Sequence, residues 1–278
     1  MHSDSQSSGQ IYWIWPLRFS RRARRQINGL TLRINDLIAT RTRLLVCSLL
    51  IGALPVLASV LLQIPVDRPL TTIALTPLLL ATVRQDSTRR GIVLLSLVFV
   101  AHSAAMIWLT VVSPERVAEL FPQGQAYWLE SREWILTGKS PEYEIAHWLP
   151  AHVMQLVGGA FFTFTSLGAV LIWEGLYQVD LMNVYVGNLV RTSSHPLIAL
   201  GFGWHPWSVL RGLGFLFVGF EACSLSLERM LARPLSTRRR RQLRWAVGVG
   251  LLACDGIVKF LCLGIIRDIL HSNLLPAS

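Results

Sequence analysis

GNLVRTSSHPLIALGFGWHPWSVLRGLGFLFVGFEACSLSLER, residues 187–229, is the stretch on which the predicted fold of this chain depends. It is apolar enough for a membrane interior, yet prolines and glycines interrupt it and it contains His195, His205, Arg211 and Glu221. A charge at the middle of a membrane helix costs about 2.5–3.5 kcal/mol on insertion scales, so it usually has a partner or a function. The stretch therefore predicts a polar centre inside a membrane protein.

The composition of the whole chain is that of a membrane protein. Of its 278 residues, 52% are hydrophobic and 15% are charged, whereas a soluble domain carries about a quarter charged residues. The apolar residues lie in long runs, which indicates helices that cross a bilayer. We therefore expect an all-α, polytopic helical membrane protein.

The net charge of +10 comes almost entirely from arginine, since Lys139 and Lys259 are the only lysines. The arginines stand at the ends of apolar runs, where the cytoplasmic flanks of membrane helices collect them. This placement argues against a nucleic-acid partner and indicates a bilayer with anionic headgroups. The predicted headgroup contacts are Arg21, Arg22, Arg24, Arg25, Arg238, Arg239, Arg240 and Arg241.

The first 43 residues are predicted to form a cytoplasmic segment of their own. Residues 1–10 are polar and are expected to be disordered. Apolar positions then recur every third or fourth residue over 17–38, which predicts a basic amphipathic helix on the membrane surface. A plain basic tail is the alternative. The first long apolar run begins only after Arg43, so the N-terminus resembles a signal anchor rather than a cleaved signal peptide.

Residues 44–278 are predicted to form one helical transmembrane domain with about five spanning helices. Clear spans are expected at residues 44–64, 92–112, 151–173 and 245–266, since each has about the 20 apolar residues that a bilayer needs. Residues 70–83 are apolar but short, and either cross in a shielded position or re-enter. The acidic, tryptophan-rich residues 113–150 predict an external loop, and the Arg-rich residues 229–244 predict a cytoplasmic loop.

The region between Arg191 and Arg238 is predicted to hold a broken or re-entrant hairpin. Both arginines indicate the cytoplasm, so the chain between them must cross an even number of times. Residues 196–226 are too short for two full spans at 1.5 Å per residue. A turn back at residues 203–206 (GWHP) satisfies both conditions. The alternative is that Arg191 lies outside and the stretch is one tilted span.

Five polar side chains are predicted to form an intramembrane cluster: His205, Arg211, Glu221, Asp255 and Lys259. Arg211 and His205 are the expected partners of Glu221. Asp255 and Lys259 are four residues apart, so they meet on one helix face. The cluster is interpreted either as structural ion pairs or as a proton, ion or substrate site.

Three histidines are possible haem or pigment ligands: His102, His152 and His195. His102 is the only one centred in a clear predicted span. No CxxCH motif is present, which excludes covalent haem attachment, and a hydrogen-bonded histidine is the simpler interpretation of each. We predict no cofactor and no metal site.

The residues Glu221-Ala222-Cys223-Ser224, with Arg267 further on, resemble the Glu-Ala-Cys-Ser stretch and later arginine of exosortases, which are membrane cysteine transpeptidases. The resemblance implies Cys223 as a nucleophile. It covers only a handful of residues. Leu225 stands where the family has glycine, and His271 is expected in the tail beyond the last span.

The leading functional prediction is a non-catalytic subunit or scaffold of a larger complex in a bacterial-type inner membrane, with other membrane proteins as partners. Its motivation is that the sequence has no complete catalytic set, no HEXXH or P-loop motif and no large soluble domain. One alternative is a small transporter component that uses Glu221, Asp255 and Lys259. Another is an intramembrane cysteine transpeptidase or protease that uses Cys223.

Overall fold

The computed structural model describes residues 40–139 and 145–274, and the regular elements within those ranges are all α-helices. The all-helical prediction is therefore confirmed for these residues. In chain order the helices are α1 (Arg41–Leu62), α2 (Asp67–Arg84), α3 (Thr88–Val112), α4 (Pro114–Leu120), α5 (Pro122–Thr137), α6 (Ile145–Thr165), α7 (Ala169–Thr192), α8 (Pro196–Gly203), α9 (Pro206–Leu231) and α10 (Arg238–Asn273).

Four of the described helices, α1, α3, α9 and α10, are long and apolar enough to cross a membrane. The predicted spans at 44–64, 92–112 and 245–266 coincide with α1, α3 and α10. Helix α2 covers the short apolar stretch at 70–83 and is not among the four. The protein thus has the composition of a membrane-embedded helical bundle.

Close contacts at glycines define the directions of the helices. A Cβ at Gly52 of α1 would meet Val98 and Ala101 of α3, and one at Gly187 of α7 would meet Thr110 of α3. Helices α1, α3 and α7 therefore run in parallel. Gly168, before α7, lies against Leu79 near the end of α2 and Cys223 near the end of α9, so α2 and α9 run in the opposite direction.

Most of the arginines outside the bundle interior lie at one end of it. Helix α10 runs antiparallel to α9, with Gly248 packed against Gly214. The start of α1, the α2–α3 turn and the α9–α10 turn therefore share an end, which we call the arginine-rich end. Its arginines are Arg41, Arg43, Arg84, Arg89, Arg90, Arg229, Arg233, Arg238, Arg239, Arg240 and Arg241. Helices α4 and α5 and the end of α10 lie at the opposite end.

Large apolar side chains face both the interior and the surroundings. Leu79, Leu94 and Phe220 are buried in a cluster towards the arginine-rich end. On the outside, Met154 of α6 is 73% exposed and Phe260 of α10 is 83% exposed. Exposed large apolar side chains along long helices are what a lipid environment permits.

The predicted span at 151–173 is interrupted. Helix α6 ends at Thr165 and α7 begins at Ala169. Leu167 has φ 55° and Gly168 has φ +92°, which is the left-handed conformation that ends a helix. Glycine suits this position because of its positive φ and because a Cβ here would lie 2.9 Å from Leu79 Cδ2.

The mixed composition of residues 175–194, together with Arg191, indicates a return to the cytoplasm, but in the structure residues 175–192 are helical. Helix α7 continues to Thr192 along its full 24 residues. Its polar residues Asp180, Asn183 and Asn188 are buried against other helices rather than exposed in a loop. Polarity was misread as a loop signal because it belongs to the inward face of a helix.

The predicted re-entrant hairpin is not found in this stretch. The break occurs where it was expected, at Trp204 and His205, but α9 then continues for 26 residues and has the length of a full span. The N–H of Ser194 donates to the carbonyl of Asn273 at 2.9 Å. Arg191 thus lies near the C-terminal end of α10, whereas Arg238 is the first residue of that helix. This arrangement is the one that the single-span alternative requires. The premise that both arginines share one side is wrong.

Two further expectations concern the ends of the chain. The N-terminal tail, the amphipathic helix at 17–38 and the headgroup contacts Arg21, Arg22, Arg24 and Arg25 lie outside the described residues. At the other end, α10 extends to Asn273, so His271 belongs to the last helix and not to a tail.

Candidate functional site: a buried Asp-His-Asp centre

The five side chains predicted to form one intramembrane cluster have different partners in the structure. His205 sits among aromatic rings, with its Nε2 3.2 Å from the hydroxyl of Tyr185 and its ring stacked on Trp207 at 4.5 Å. Arg211 lies against Asp255, and Glu221 lies nearer the arginine-rich end. The partners of Glu221 therefore differ from the expected Arg211 and His205, and a cluster of all five side chains stays a prediction.

Glu221 is paired with α10 and not with Arg211 or His205. Arg244 Nε donates to Glu221 Oε2 at 2.5 Å, and Arg241 Nε lies 3.1 Å from Glu221 Oε1. Arg244 also donates to Asp86 Oδ1 at 2.7 Å. A carboxylate with no exposure is thus held between two guanidinium groups, and the α2–α3 turn is tied to α10.

Asp86 lies outside the membrane-spanning helices and completes this network. Arg240 Nη1 donates to its Oδ2 at 2.7 Å. Burial by itself would raise the pKa of Asp86, but the hydrogen bonds from Arg240 and Arg244 outweigh burial and lower the pKa from its ordinary value. Within the predicted headgroup contacts at 238–241, Arg240 and Arg241 therefore contact protein carboxylates, and Arg238, Arg239 and Arg240 are exposed.

A second ion pair lies further along the same two helices. Arg211 of α9 donates from Nε to Asp255 Oδ2 at 2.8 Å and from Nη2 to Asp255 Oδ1 at 3.2 Å. This two-point contact is the strong form of an arginine–carboxylate pair. Lys259 is buried one turn further along α10. Asp255 of the predicted Asp255–Lys259 pair is therefore bonded to the guanidinium group of Arg211 from α9.

A third group of charged residues lies in the interior among α1, α2, α3 and α7. His102 Nε2 is 2.6 Å from Asp180 Oδ1. One possible ligand atom from each of Asp67, His102 and Asp180 lies within 4.8 Å of the other two. The exposure of these residues is 0%, 0% and 3% respectively. We call Asp67, His102 and Asp180 the Asp-His-Asp centre.

The Asp-His-Asp centre is incompletely hydrogen-bonded. Asp67 Oδ2, His102 Nδ1 and Asp180 Oδ2 are buried atoms without a hydrogen-bond partner, and so are both amide atoms of Asn183, one helical turn from Asp180. Buried polar atoms are nearly always bonded, because leaving one unpaired costs about 1–3 kcal/mol. A group of such atoms among charged residues therefore points to a binding site.

Local structure explains why Asp67 reaches this position. The Oγ of Ser59, in the last turn of α1, accepts hydrogen bonds from the N–H groups of Val66 at 3.0 Å and Asp67 at 2.7 Å. The Ser59 hydroxyl donates in turn to Asp67 Oδ1 at 3.3 Å. Asp67 is also the first residue of α2, where the helix dipole favours a carboxylate.

Arg68 borders the centre on its more exposed side. Its Nε lies 3.5 Å from Asp180 Oδ2, and its side chain is 21% exposed. The guanidinium carbon is 5.7 Å from the centre of the Trp173 ring and 5.3 Å from that of Tyr177. Arg68 thus interacts with both a carboxylate and two aromatic faces, and its contact with Asp180 is the longest of the arginine–carboxylate contacts described above.

The three histidines considered as haem or pigment ligands lie on different elements. His102 is buried in α3 and bonded to Asp180, His152 belongs to α6, and His195 is exposed before α8. A haem or pigment role stays a prediction. The absence of a metal site also stays a prediction, although His102 lies with two carboxylates in a group that could hold a cation.

Cys223 is buried in the core near the arginine-rich end. Its thiol donates to the carbonyl of Leu167 at 3.4 Å and lies beside Gly168 and Leu79. The nucleophile that the exosortase resemblance implies stays a prediction, and thiol labelling of the folded protein tests it.

The sequence analysis missed Asp67, Arg68 and Asp180. Asp67 and Arg68 were read only as part of a proline-flanked turn. The spacing of Asp180 and Asn183, three residues apart in an otherwise apolar segment, was the available signal for a buried polar helix face.

Comparison with known proteins yields no relative for this site. No protein-family model, no curated protein and no solved structure matches this chain.

Proposed function

We propose that this protein is a multi-pass membrane protein that binds small cations at the Asp-His-Asp centre and transports them across the bilayer. The observation that supports the proposal is the burial of two carboxylates and an imidazole with unbonded oxygen and nitrogen atoms. Ionisable side chains inside a membrane bundle mark ion pathways and proton relays in many proteins. Negative charge and free oxygen atoms favour a cation over an anion.

The depth of the centre also supports a transport role. Asp180 and His102 are each near the middle of a helix, α7 with 24 residues and α3 with 25. At 1.5 Å per residue both lie about 16–21 Å from the start of their helices, within a hydrocarbon core of about 30 Å. Asp67 is the first residue of α2, so the α1–α2 turn brings the third member of the centre to this depth. A cation bound there has to come from one face of the membrane.

The proposed orientation follows the distribution of arginine. The arginine-rich end is cytoplasmic, because cytoplasmic flanks of membrane helices collect arginine. Helices α4 and α5 then lie outside, and the N-terminus lies in the cytoplasm. Helix α7 also crosses the bilayer as a buried member of the bundle, α6 crosses it with an exposed apolar face, and α2 returns from the Asp-His-Asp centre to the cytoplasmic end. The membrane is of the bacterial inner-membrane type.

Cation uptake into liposomes tests the transport proposal. Protons and monovalent and divalent cations are offered in turn to liposomes that contain the purified protein, under an imposed membrane potential. We expect uptake of at least one cation above that of empty liposomes, and Asp180→Asn should abolish it. Asp268→Asn, which changes an exposed carboxylate of α10, is the control and should transport normally. Uptake no greater than that of empty liposomes, or full uptake by Asp180→Asn, would contradict the proposal.

The second candidate function is that of a subunit in a larger membrane complex. Gly158 and Gly159 of α6 have open space where a Cβ would lie, and their helix exposes Met154 and Phe161. Small residues on an apolar helix surface allow a partner helix to approach closely. Purification in a mild detergent should then recover a second membrane protein, and Gly158→Leu should release it. Recovery of the chain alone would count against this candidate.

A further inference from the structure

The donor atoms of the Asp-His-Asp centre narrow the class of cation that it takes. Two carboxylates and one imidazole form a mixed oxygen and nitrogen set. Mg²⁺ and Ca²⁺ prefer sites made entirely of oxygen, whereas imidazole suits zinc, iron and nickel. Carboxylates together with imidazole therefore favour a divalent transition metal. We propose that Asp67, His102 and Asp180 bind one divalent ion of the Zn²⁺ class.

The distances between the three donor atoms suit this assignment after small shifts of the side chains. Bonds of 2.0–2.2 Å in tetrahedral geometry place neighbouring ligand atoms about 3.4 Å apart. The three donor atoms now lie within 4.8 Å of one another, and the His102–Asp180 pair is closer, at 2.6 Å. The pair opens by less than 1 Å when the ion replaces the proton that the two groups share, and that proton leaves to solvent. The Asp67 ligand atom has to approach the other two by at most about 1.4 Å, the difference between 4.8 Å and about 3.4 Å.

The charge of the centre also suits a divalent ion. Asp67 and Asp180 offer two carboxylates to a bound ion, and among the ion pairs of the described residues the single guanidinium in contact is Arg68, whose Nε lies 3.5 Å from Asp180 Oδ2. A divalent ion neutralises both carboxylates. Arg68 then keeps its place over Trp173 and Tyr177, where the aromatic faces stabilise a cation.

Arg68 therefore acts as a competitor for the ion and not as a ligand. A guanidinium has no lone pair to offer a metal, and its charge opposes a second cation at close range. Removal of Arg68 should increase metal affinity. A purely structural role of this cluster predicts instead that Arg68 removal lowers stability without any metal binding, since two buried carboxylates would lose their neighbouring cation. Metal affinity and melting temperature measured together distinguish the two interpretations.

The inference rests on the proposed function in one respect, namely that the centre receives a small cation. Binding of Co²⁺ and Zn²⁺ to the full-length protein in detergent tests it. We expect about one ion per chain, with visible Co²⁺ absorption of the tetrahedral type. His102→Gln and Asp180→Asn should each weaken binding by more than about 100-fold, because changes to groups around a ligand alone cost roughly 10–100-fold. Arg68→Gln should strengthen binding by roughly tenfold, since a like charge no longer opposes the ion.

Two further variants distinguish a loss of metal binding from a loss of folding. His205→Gln changes another buried histidine, outside the centre, and should bind Co²⁺ as the wild type does. His102→Cys should keep binding and add a thiolate-to-Co²⁺ absorption band, because a thiolate replaces imidazole as a ligand. A misfolded protein gives neither result.

The results that overturn the inference differ from those that overturn the proposed function. No stoichiometric Co²⁺ or Zn²⁺ binding, or binding that His102→Gln and Asp180→Asn leave unchanged, overturns the metal assignment. If proton or monovalent cation uptake is still lost in Asp180→Asn, the transport proposal stands without the metal. If one ion binds per chain and no cation crosses the membrane, the metal assignment stands and the transport proposal fails.

Discussion

Carboxylates are buried inside the bundle in two regions, at the contacts between α9 and α10 and in the Asp-His-Asp centre. The groups that surround the carboxylates differ between the two regions. Glu221 and Asp255 each face a guanidinium within 3.2 Å. In the Asp-His-Asp centre, Asp180 shares one oxygen with His102, while the other lies 3.5 Å from Arg68. Asp67 Oδ2 has no hydrogen-bond partner; Glu221 Oε1 also makes no hydrogen bond, but it lies 3.1 Å from Arg241 Nε, so the difference between the two regions is the closeness of the guanidinium groups.

This difference separates a structural use of buried charge from a functional one. A paired charge cluster holds two helices in register, and removal of one partner leaves the other uncompensated. An incompletely bonded cluster is costly to the fold and is retained where it serves binding or catalysis. We therefore expect substitutions in the first region to reduce stability and those in the second to reduce function.

The largest expected effect is at Arg244. This residue joins Glu221, which has no exposure, to Asp86. Arg244→Ala should lower the free energy of unfolding by about 3–5 kcal/mol, since it leaves a buried carboxylate without its main partner. Arg239→Ala, an exposed arginine of the same helix, is the control and should change stability little. Thermal unfolding in detergent measures both, and equal stability of the two variants would contradict the structural role.

An intermediate effect is expected where α9 and α10 pack most closely. A Cβ at Gly248 would lie 2.8 Å from Val218 Cγ2 and 3.1 Å from the carbonyl oxygen of Gly214. Gly248→Ala should therefore cost about 1–3 kcal/mol of stability, because the packed helices must separate. Gly250→Ala, two residues away in open space, should be neutral or slightly stabilising because alanine favours a helix. Similar melting temperatures for the two variants would show that the helices pack otherwise.

The smallest effect concerns Asp86 and depends on pH. Its pKa is lowered in the folded state, so the ionised carboxylate stabilises the fold above the unfolded pKa of about 3.9. That contribution is lost as the pH falls through the folded pKa. Asp86→Asn should cost about 1–2 kcal/mol at pH 7. The difference from wild type should shrink below about pH 4. Melting curves from pH 7 to pH 3 measure it, and a difference that stays constant would contradict the pKa shift.

The helical membrane character was predictable because it depends on local composition. Apolar runs of bilayer length predicted α1, α3 and α10. The predicted boundaries of α1 and α3 agree with the structure to within a few residues. The start of α10 was missed by several residues, since the arginines at 238–241 were read as a loop. They continue the helix because Thr237 caps it and their side chains reach Asp86, Glu221 and Glu228.

The functional centre was not predictable in the same way, because its members come from distant parts of the chain. Asp67, His102 and Asp180 belong to three helices, and only packing brings them together. His102 was correctly singled out as a central histidine. Its partner was missed because α7 was read as a loop, and that error followed from placing Arg191 on the same side as Arg238. One wrong assignment of sidedness thus hid the second carboxylate.

The central claim is that buried charge serves function in the Asp-His-Asp centre and stability at the α9–α10 contacts. Its most direct test measures melting temperature and cation uptake per folded molecule for Asp180→Asn and Glu221→Gln side by side. The account predicts that Asp180→Asn melts close to the wild type and transports nothing, while Glu221→Gln melts clearly lower and still transports. The reverse pattern, a destabilised Asp180→Asn that transports and a stable Glu221→Gln that does not, would contradict it.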